Sequence, residues 1–217
     1  MKKWECTICS YIHEGDEPPD ECPLCGADKS EFVEVKDEAI EQATAAPAAV
    51  AATPTVTSPA PQKTKPASAP LHGIQALIDK HHLHPITVHT PNGIIPMAVF
   101  FVFLLVFFGS PSLGKAALYS YTFVLLSMPV VLFTGYTMWK TRYRGAMTSL
   151  FKIKITASVI ATILLATLVL WGFGQPSVLE PNSSGRAAYL FFSLIMLAAV
   201  GIAGHLGGKL IFSSRKG

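Results

Sequence analysis

Cys6-Thr7-Ile8-Cys9, then twelve residues, then Cys22-Pro23-Leu24-Cys25-Gly26: this stretch decides what the front of the chain is. A Cys-x-x-Cys pair on one tight turn brings two thiolates to one metal. Two such turns complete a tetrahedral four-sulfur site, which suits zinc or a single iron. Cys6, Cys9, Cys22 and Cys25 are the only cysteines in the chain. Four cysteines this close, in a reducing compartment, read as metal ligands and not as disulfides. A closed four-sulfur site leaves no position for substrate. With iron its useful chemistry is one-electron transfer, and with zinc it is structural.

Outward from the cysteines the composition changes abruptly. The chain of 217 residues is 50% apolar and only 14% charged, against about 25% charged in an ordinary soluble domain. All but two of the acids lie at or before Glu41, and from Ile94 onward only Glu180 remains. The chain therefore joins two materials. A net charge of +3 gives no electrostatic case for nucleic acid, and the basic residues flank apolar runs, as they do beside a lipid bilayer. Residues 1–35 read as a compact metal domain. Residues 36–70 are rich in Ala, Pro and Thr without apolar periodicity, and they read as a disordered tether. As a random coil, a tether of that length spans roughly 30–35 Å. Residues 71–90 form a histidine-rich interfacial segment in which Ile74, Leu77, Ile78 and Leu83 share one face. Residues 91–217 hold four apolar segments, about 94–108 (with a start nearer Pro85 as the alternative), 116–138, 151–173 and 187–212, each near the ~20 residues that cross a bilayer.

Orientation follows from the loops. Lys140, Arg142, Arg144, Lys152 and Lys154 surround the second loop, and Arg215 and Lys216 lie at the end. The positive-inside rule puts that loop and both termini in the cytoplasm. Met1-Lys2-Lys3 is followed by Trp4-Glu5-Cys6 instead of an apolar run, so no secretory leader is read there. The expected location is the inner membrane of a bacterium, crossed four times.

Five of the seven histidines, His72, His81, His82, His84 and His89, precede the first span, and His205 sits in the fourth beside Gly204, Gly207 and Gly208. An ionisable residue inside a span is a functional candidate, because its burial is costly unless it is partnered or ligated. His84, His89 and His205 share one membrane depth by the orientation above. Facing imidazoles can ligate a haem b, and glycines let a flat ring approach a helix. Close helix packing by small residues is the competing explanation for those glycines.

Two resemblances add to this. Trp4-Glu5-Cys6-Thr7-Ile8-Cys9-Ser10-Tyr11-Ile12-His13-Glu14-Gly15, with Pro18-Pro19-Asp20-Glu21-Cys22-Pro23-Leu24-Cys25-Gly26 and Phe32, resembles the short rubredoxin domain of rubrerythrins. The resemblance implies one iron on the four cysteines, with Trp4, Tyr11 and Phe32 as its aromatic surround. Ser10 departs from the glycine usual there, which predicts a left-handed serine and a slightly altered turn. Residues 80–212 resemble a family of small four-helix bacterial membrane proteins through His84-Pro85, Val88-His89, Pro91 and Gly204-His205-Leu206-Gly207-Gly208-Lys209. The fold expected is a small rubredoxin-like metal domain plus an all-α four-helix transmembrane bundle.

The expected function is electron transfer rather than stand-alone catalysis. A cytoplasmic reductase or ferredoxin gives single electrons to the iron centre. The acidic metal domain then docks on the basic loop or the histidine end, and the electrons pass to a membrane haem, a quinone or a redox partner protein. The alternative is a zinc-ribbon membrane scaffold or sensor without redox activity. Transport fits less well, because the spans carry few charges and no inverted repeat. No nucleophile–base pair, phosphate-binding glycine loop or paired carboxylates suggest another chemistry.

Overall fold

The computed structural model describes residues 2–35, 73, 78, 81 and 83–212. The tether expected over residues 36–70, His72 and His82 lie outside the described residues, as do Ile74 and Leu77 of the interfacial face. Ile78 is described and buried.

Three short strands, β1 (Lys2–Cys6), β2 (Ile12–Gly15) and β3 (Phe32–Val35), form an antiparallel sheet in the order β2-β1-β3. Trp4 pairs with His13 on one side and Glu34 on the other. Strands of four or five residues bury too little to stand alone. Their work is to hold the ends of the two cysteine turns, since Cys6 closes β1 opposite Phe32.

The remainder is helical: α1 (Leu83–Thr87), α2 (His89–Phe108), α3 (Pro111–Arg142), α4 (Ser149–Gly174) and α5 (Arg186–Phe212). Four of these stretches, Leu83–Phe108, Pro111–Arg142, Ser149–Gly174 and Arg186–Leu210, are long and apolar enough to cross a bilayer. Successive helices pack together and α5 closes the ring on α2, giving an up-down four-helix bundle with α1 laid against α3. The interior holds Ile95, Val102, Leu105, Val124, Leu165, Leu168 and Met196. Phe100, Phe107, Leu126 and Leu170 stand exposed on the outside, as lipid-facing side chains should.

Two boundaries are fixed by the structure, each for a physical reason. The first membrane helix starts at His89, between the two starts the sequence allowed and ahead of Pro91-Asn92-Gly93, because a proline in the first turn costs no intrahelical hydrogen bond. The second loop is shorter than the apolar runs suggested. The helix α3 extends to Arg142 and α4 starts at Ser149, so Lys152 and Lys154 are helical residues. Between the helices the chain turns through left-handed Arg144 and Gly145, and Trp139 Nε1 donates to the Ala146 carbonyl at 2.8 Å.

Candidate metal centre

The two cysteine turns are built alike. In the first, Cys6 N–H donates to the Tyr11 carbonyl at 2.8 Å and the Cys6 carbonyl accepts from Ser10 N–H at 2.9 Å. In the second, Cys22 N–H donates to the Ala27 carbonyl at 2.7 Å and the Cys22 carbonyl accepts from Gly26 N–H at 2.9 Å. Ser10 and Gly26 occupy matching positions, and both are left-handed, with φ of 59° and 69°. The serine therefore adopts the strained conformation its position demands and the turn keeps its form. Thr7 Oγ1 donates to Glu31 at 2.6 Å and Trp4 Nε1 to the Gly15 carbonyl at 3.2 Å, tying the first turn to the rest of the domain.

These turns bring all four Sγ atoms within 4.8 Å of one another, with Cys6–Cys25 at 3.7 Å and Cys9–Cys22 at 3.6 Å. A tetrahedron with metal–sulfur bonds near 2.3 Å has edges of about 3.8 Å, so the four thiols fit one metal ion. Such crowded sulfurs share protons. Contacts from Cys25, Cys6 and Cys9 hold the Cys22 thiol well below its ordinary range, while contact with Cys22 pushes Cys9 well above it. Cys6, Cys22 and Cys25 are buried, whereas Cys9 is partly exposed.

The second turn is seated on the membrane domain. Leu24, at its tip, is 2% exposed and belongs to one apolar cluster with Tyr143, Leu150, Phe151 and Leu210. Thr148, the residue capping α4, donates its hydroxyl to the Cys25 carbonyl, and that hydroxyl accepts no N–H from the first turn of its own helix. Ser149 Oγ donates to Glu21 at 3.3 Å. Gly26 is required twice over: its φ is positive, and a Cβ there would stand 2.7 Å from Ser149 Oγ. The cage sits on the basic second loop, as expected, and the contacts seen there are apolar and hydroxyl-bonded. The ion pairs Lys2–Glu34, Lys29–Glu17 and Lys29–Asp20 lie inside the metal domain. The seat is apolar and hydroxyl-bonded because Leu24 and the loop aromatics bury more favourably than exposed charges pair.

The histidines separate. His84 is partly buried, with Nδ1 3.2 Å from Thr134 Oγ1. His89 and His205 are exposed on their helices. An axial pair needs two imidazoles turned to one iron, so the haem b expectation gains no support from this arrangement. Lys154 was passed over in the sequence as one more basic loop residue. It lies inside α4 with its Nζ against Gly207, 3.4 Å from where a Cβ on that glycine would stand. Only helical phase could have revealed this, because loop charge counting ignores which way a flanking lysine points.

Comparison with known proteins agrees with both halves. Residues 4–33 match the family described as "Rubrerythrin, rubredoxin-like domain", and residues 80–217 match "Predicted membrane protein (DUF2231)". Reverse rubrerythrin-1 of Clostridium acetobutylicum is 58% identical over 38 residues, 18% of this chain and 21% of that protein. The chain thus spans about a fifth of that relative's length. Rubredoxin-2 of Chlorobaculum tepidum is 40% identical over 52 residues, 16% of this chain and 100% of that protein. The rubredoxin of Peptoniphilus asaccharolyticus is 40% identical over 48 residues, 15% of this chain and 91% of that protein. No solved structure matches the chain. A tetrathiolate cage of rubredoxin form, seated on four membrane helices that make up most of the length, makes the chain a member of the DUF2231 family of predicted membrane proteins that carries a rubredoxin-like domain ahead of its membrane domain.

Proposed function

We propose that the chain is a membrane-bound electron carrier, which takes single electrons from a cytoplasmic reductase or ferredoxin and passes them to an acceptor in the bilayer. The observation that carries this reading is the seating of the cysteine cage: its second turn lies directly on the cytoplasmic-type loop of the bundle, through Leu24, Thr148 and Ser149. A single iron held by Cys6, Cys9, Cys22 and Cys25 supplies reversible one-electron chemistry without binding substrate.

The protein's own residues arrange the rest. The hydrogen bond from Thr148 to the Cys25 carbonyl and the Leu24 socket fix the cage against α4. The first turn, with partly exposed Cys9 and exposed Ser10, stays open for a soluble donor. The acceptor is a quinone or a partner protein in the inner membrane of a bacterium. The concentration of Lys140, Arg142 and Arg144 at the seated loop supports a cytoplasmic position for the cage.

The test is an anaerobic visible spectrum of the purified protein, oxidised and then dithionite-reduced, with metal analysis alongside. Iron–thiolate charge-transfer bands that bleach on reduction are expected, at one iron per chain. A colourless protein containing zinc would sink the electron-transfer reading and leave a zinc-bearing membrane scaffold.

A further inference from the structure

The seam between the cage and the bundle is not closed. Beside the Leu24 socket an open cleft of about 320 Å³ lies between the second cysteine turn and the facing ends of α4 and α5. Its apolar wall is formed by Pro23 of the cage, Ile153 of α4 and Leu206 of α5. Its polar side chains are Glu21 from the cage, Ser149 from the first turn of α4 and Lys209 from the last turn of α5. Cage and bundle thus both contribute to one recess, at the level where two spanning helices end.

The two charges in the recess are not spent on each other. Glu21 and Lys209 are both exposed, and among the described residues no ion pair joins them. Glu21 accepts the Ser149 hydroxyl at 3.3 Å, which holds its carboxylate at the cleft. A carboxylate has lone pairs for further donors. A lysine at a helix end lays its stem along apolar surface and lifts its ammonium to the level of lipid head groups. An acid and a base that share a recess without pairing suit a ligand that carries both signs.

The apolar wall runs on into the bilayer. Ile160 shares a helix face with Ile153 in α4, and Ile202 shares one with Leu206 in α5, by the i, i+7 and i, i+4 spacings. Ile153, Ile160 and Ile202 all stand exposed. The two helices are packed neighbours that run in opposite directions, so both stripes lead away from the cage. A molecule in the cleft has hydrocarbon on one side and the cage on the other. Lys209 stands on the helix end and Glu21 on the cage beyond it, so the base is the nearer of the two to the lipid. A phospholipid with an amine carries its charges in the complementary order, with phosphate next to the glycerol and ammonium further out.

We propose that this cleft is a head-group site for phosphatidylethanolamine, with the Lys209 ammonium on the phosphate and the Glu21 carboxylate accepting from the primary ammonium. The lipid bridges the cage to α5, whichever metal the four cysteines hold. A trimethylated choline has no N–H to give to Glu21, and an anionic glycerol head group meets Glu21 as a like charge. Selectivity among these three head groups is therefore built into the one acid and one base.

The test is native mass spectrometry of the purified, metal-bound full chain in a neutral detergent. It is titrated with phosphatidylethanolamine, phosphatidylcholine and phosphatidylglycerol of identical acyl chains. Phosphatidylethanolamine is expected to bind saturably at one per chain, and the other two more weakly. Glu21→Gln and Lys209→Gln should each weaken it about tenfold, the scale of one lost charge-assisted hydrogen bond. Glu21→Gln should also erase the preference over phosphatidylcholine. Lys209→Arg, which keeps the charge, should keep the binding, and Lys152→Gln, exposed on α4 outside the cleft, should leave it unchanged. The comparison of the three lipids on the unaltered chain stands even where a variant fails to fold. Equal binding of all three lipids overturns the proposal, as does undiminished binding by both glutamine variants. So does a preference for phosphatidylglycerol that Lys209→Gln alone abolishes, which would mark Lys209 as a lysine reaching for any lipid phosphate and Glu21 as a bystander.

Discussion

Single atoms decide the metal centre. Cys9 is the least buried of the four ligands, yet its sulfur stands 3.6 Å from Cys22 and completes the set. Cys9→Ser should therefore abolish a stoichiometric metal centre, as read by metal analysis and by loss of the iron–thiolate bands. Helical circular dichroism of the membrane domain should persist, because its interior of Ile95, Val102, Leu165 and Met196 owes nothing to the cage. Collapse of the helical signal together with the metal would show that the bundle depends on the cage. Gly26 carries a double constraint, and the two parts can be separated. Gly26→Ala costs about 1–2 kcal/mol for a left-handed non-glycine residue. It also drives a methyl group to 2.7 Å from Ser149 Oγ. Adding Ser149→Ala to Gly26→Ala should recover the steric part and leave the conformational part. Chemical denaturation of the metal-loaded chain would measure both in a double-mutant cycle, and strictly additive effects would contradict the clash.

At the scale of elements, the cysteine turns were legible and the helix ends were not. Cys-x-x-Cys spacing fixes a turn almost by itself, since four residues leave few ways to aim two sulfurs at one point, and even left-handed Ser10 follows from its matching Gly26. Helix ends are set by subtler terms. Pro91 and Gly93 read as breakers, yet α2 runs through them because the first turn of a helix needs no N–H from proline. Thr148 drew no notice in the sequence, yet its hydroxyl serves the Cys25 carbonyl, a contact across 123 residues that no local pattern encodes. That contact and the Leu24 socket make the α3–α4 loop a docking element. Leu24→Ala with Thr148→Val should release the cage from the bundle while it keeps its metal. Burial of a leucine of this kind is worth about 2–5 kcal/mol and a net hydrogen bond about 1 kcal/mol. Hydrogen exchange should then rise in 143–151 and stay unchanged in β1 to β3. Unchanged exchange in the loop would mean that other contacts hold the cage.

For the whole molecule, two materials were visible in the sequence and their junction was not. Charge asymmetry separated an acidic, cysteine-bearing front from an apolar rear. The same reasoning anticipated an ionic meeting of the two, but the structure joins them through leucine, aromatic rings and hydroxyls. It also grouped Lys154 with the loop, when the helical phase of α4 turns it towards Gly207. Long-range packing decides both points, and packing is read from neighbours that lie far away in sequence. Sidedness is the property on which the electron-transfer reading depends, because the seated cage occupies one end of the bundle. If that end faces the cytoplasm, a soluble reductant and a bilayer acceptor meet there without an electron having to cross the membrane. Reporter fusions test it directly. A fluorescent protein joined after Gly145, in the loop that seats the cage, should mature and fluoresce. Alkaline phosphatase joined after Ser183, in the opposite loop, should be active. The reverse pattern would put the cage and its basic loop outside, where reducing donors are scarce and thiols oxidise. Electron entry from a cytoplasmic reductase would then be excluded by geometry, whatever metal the four cysteines hold.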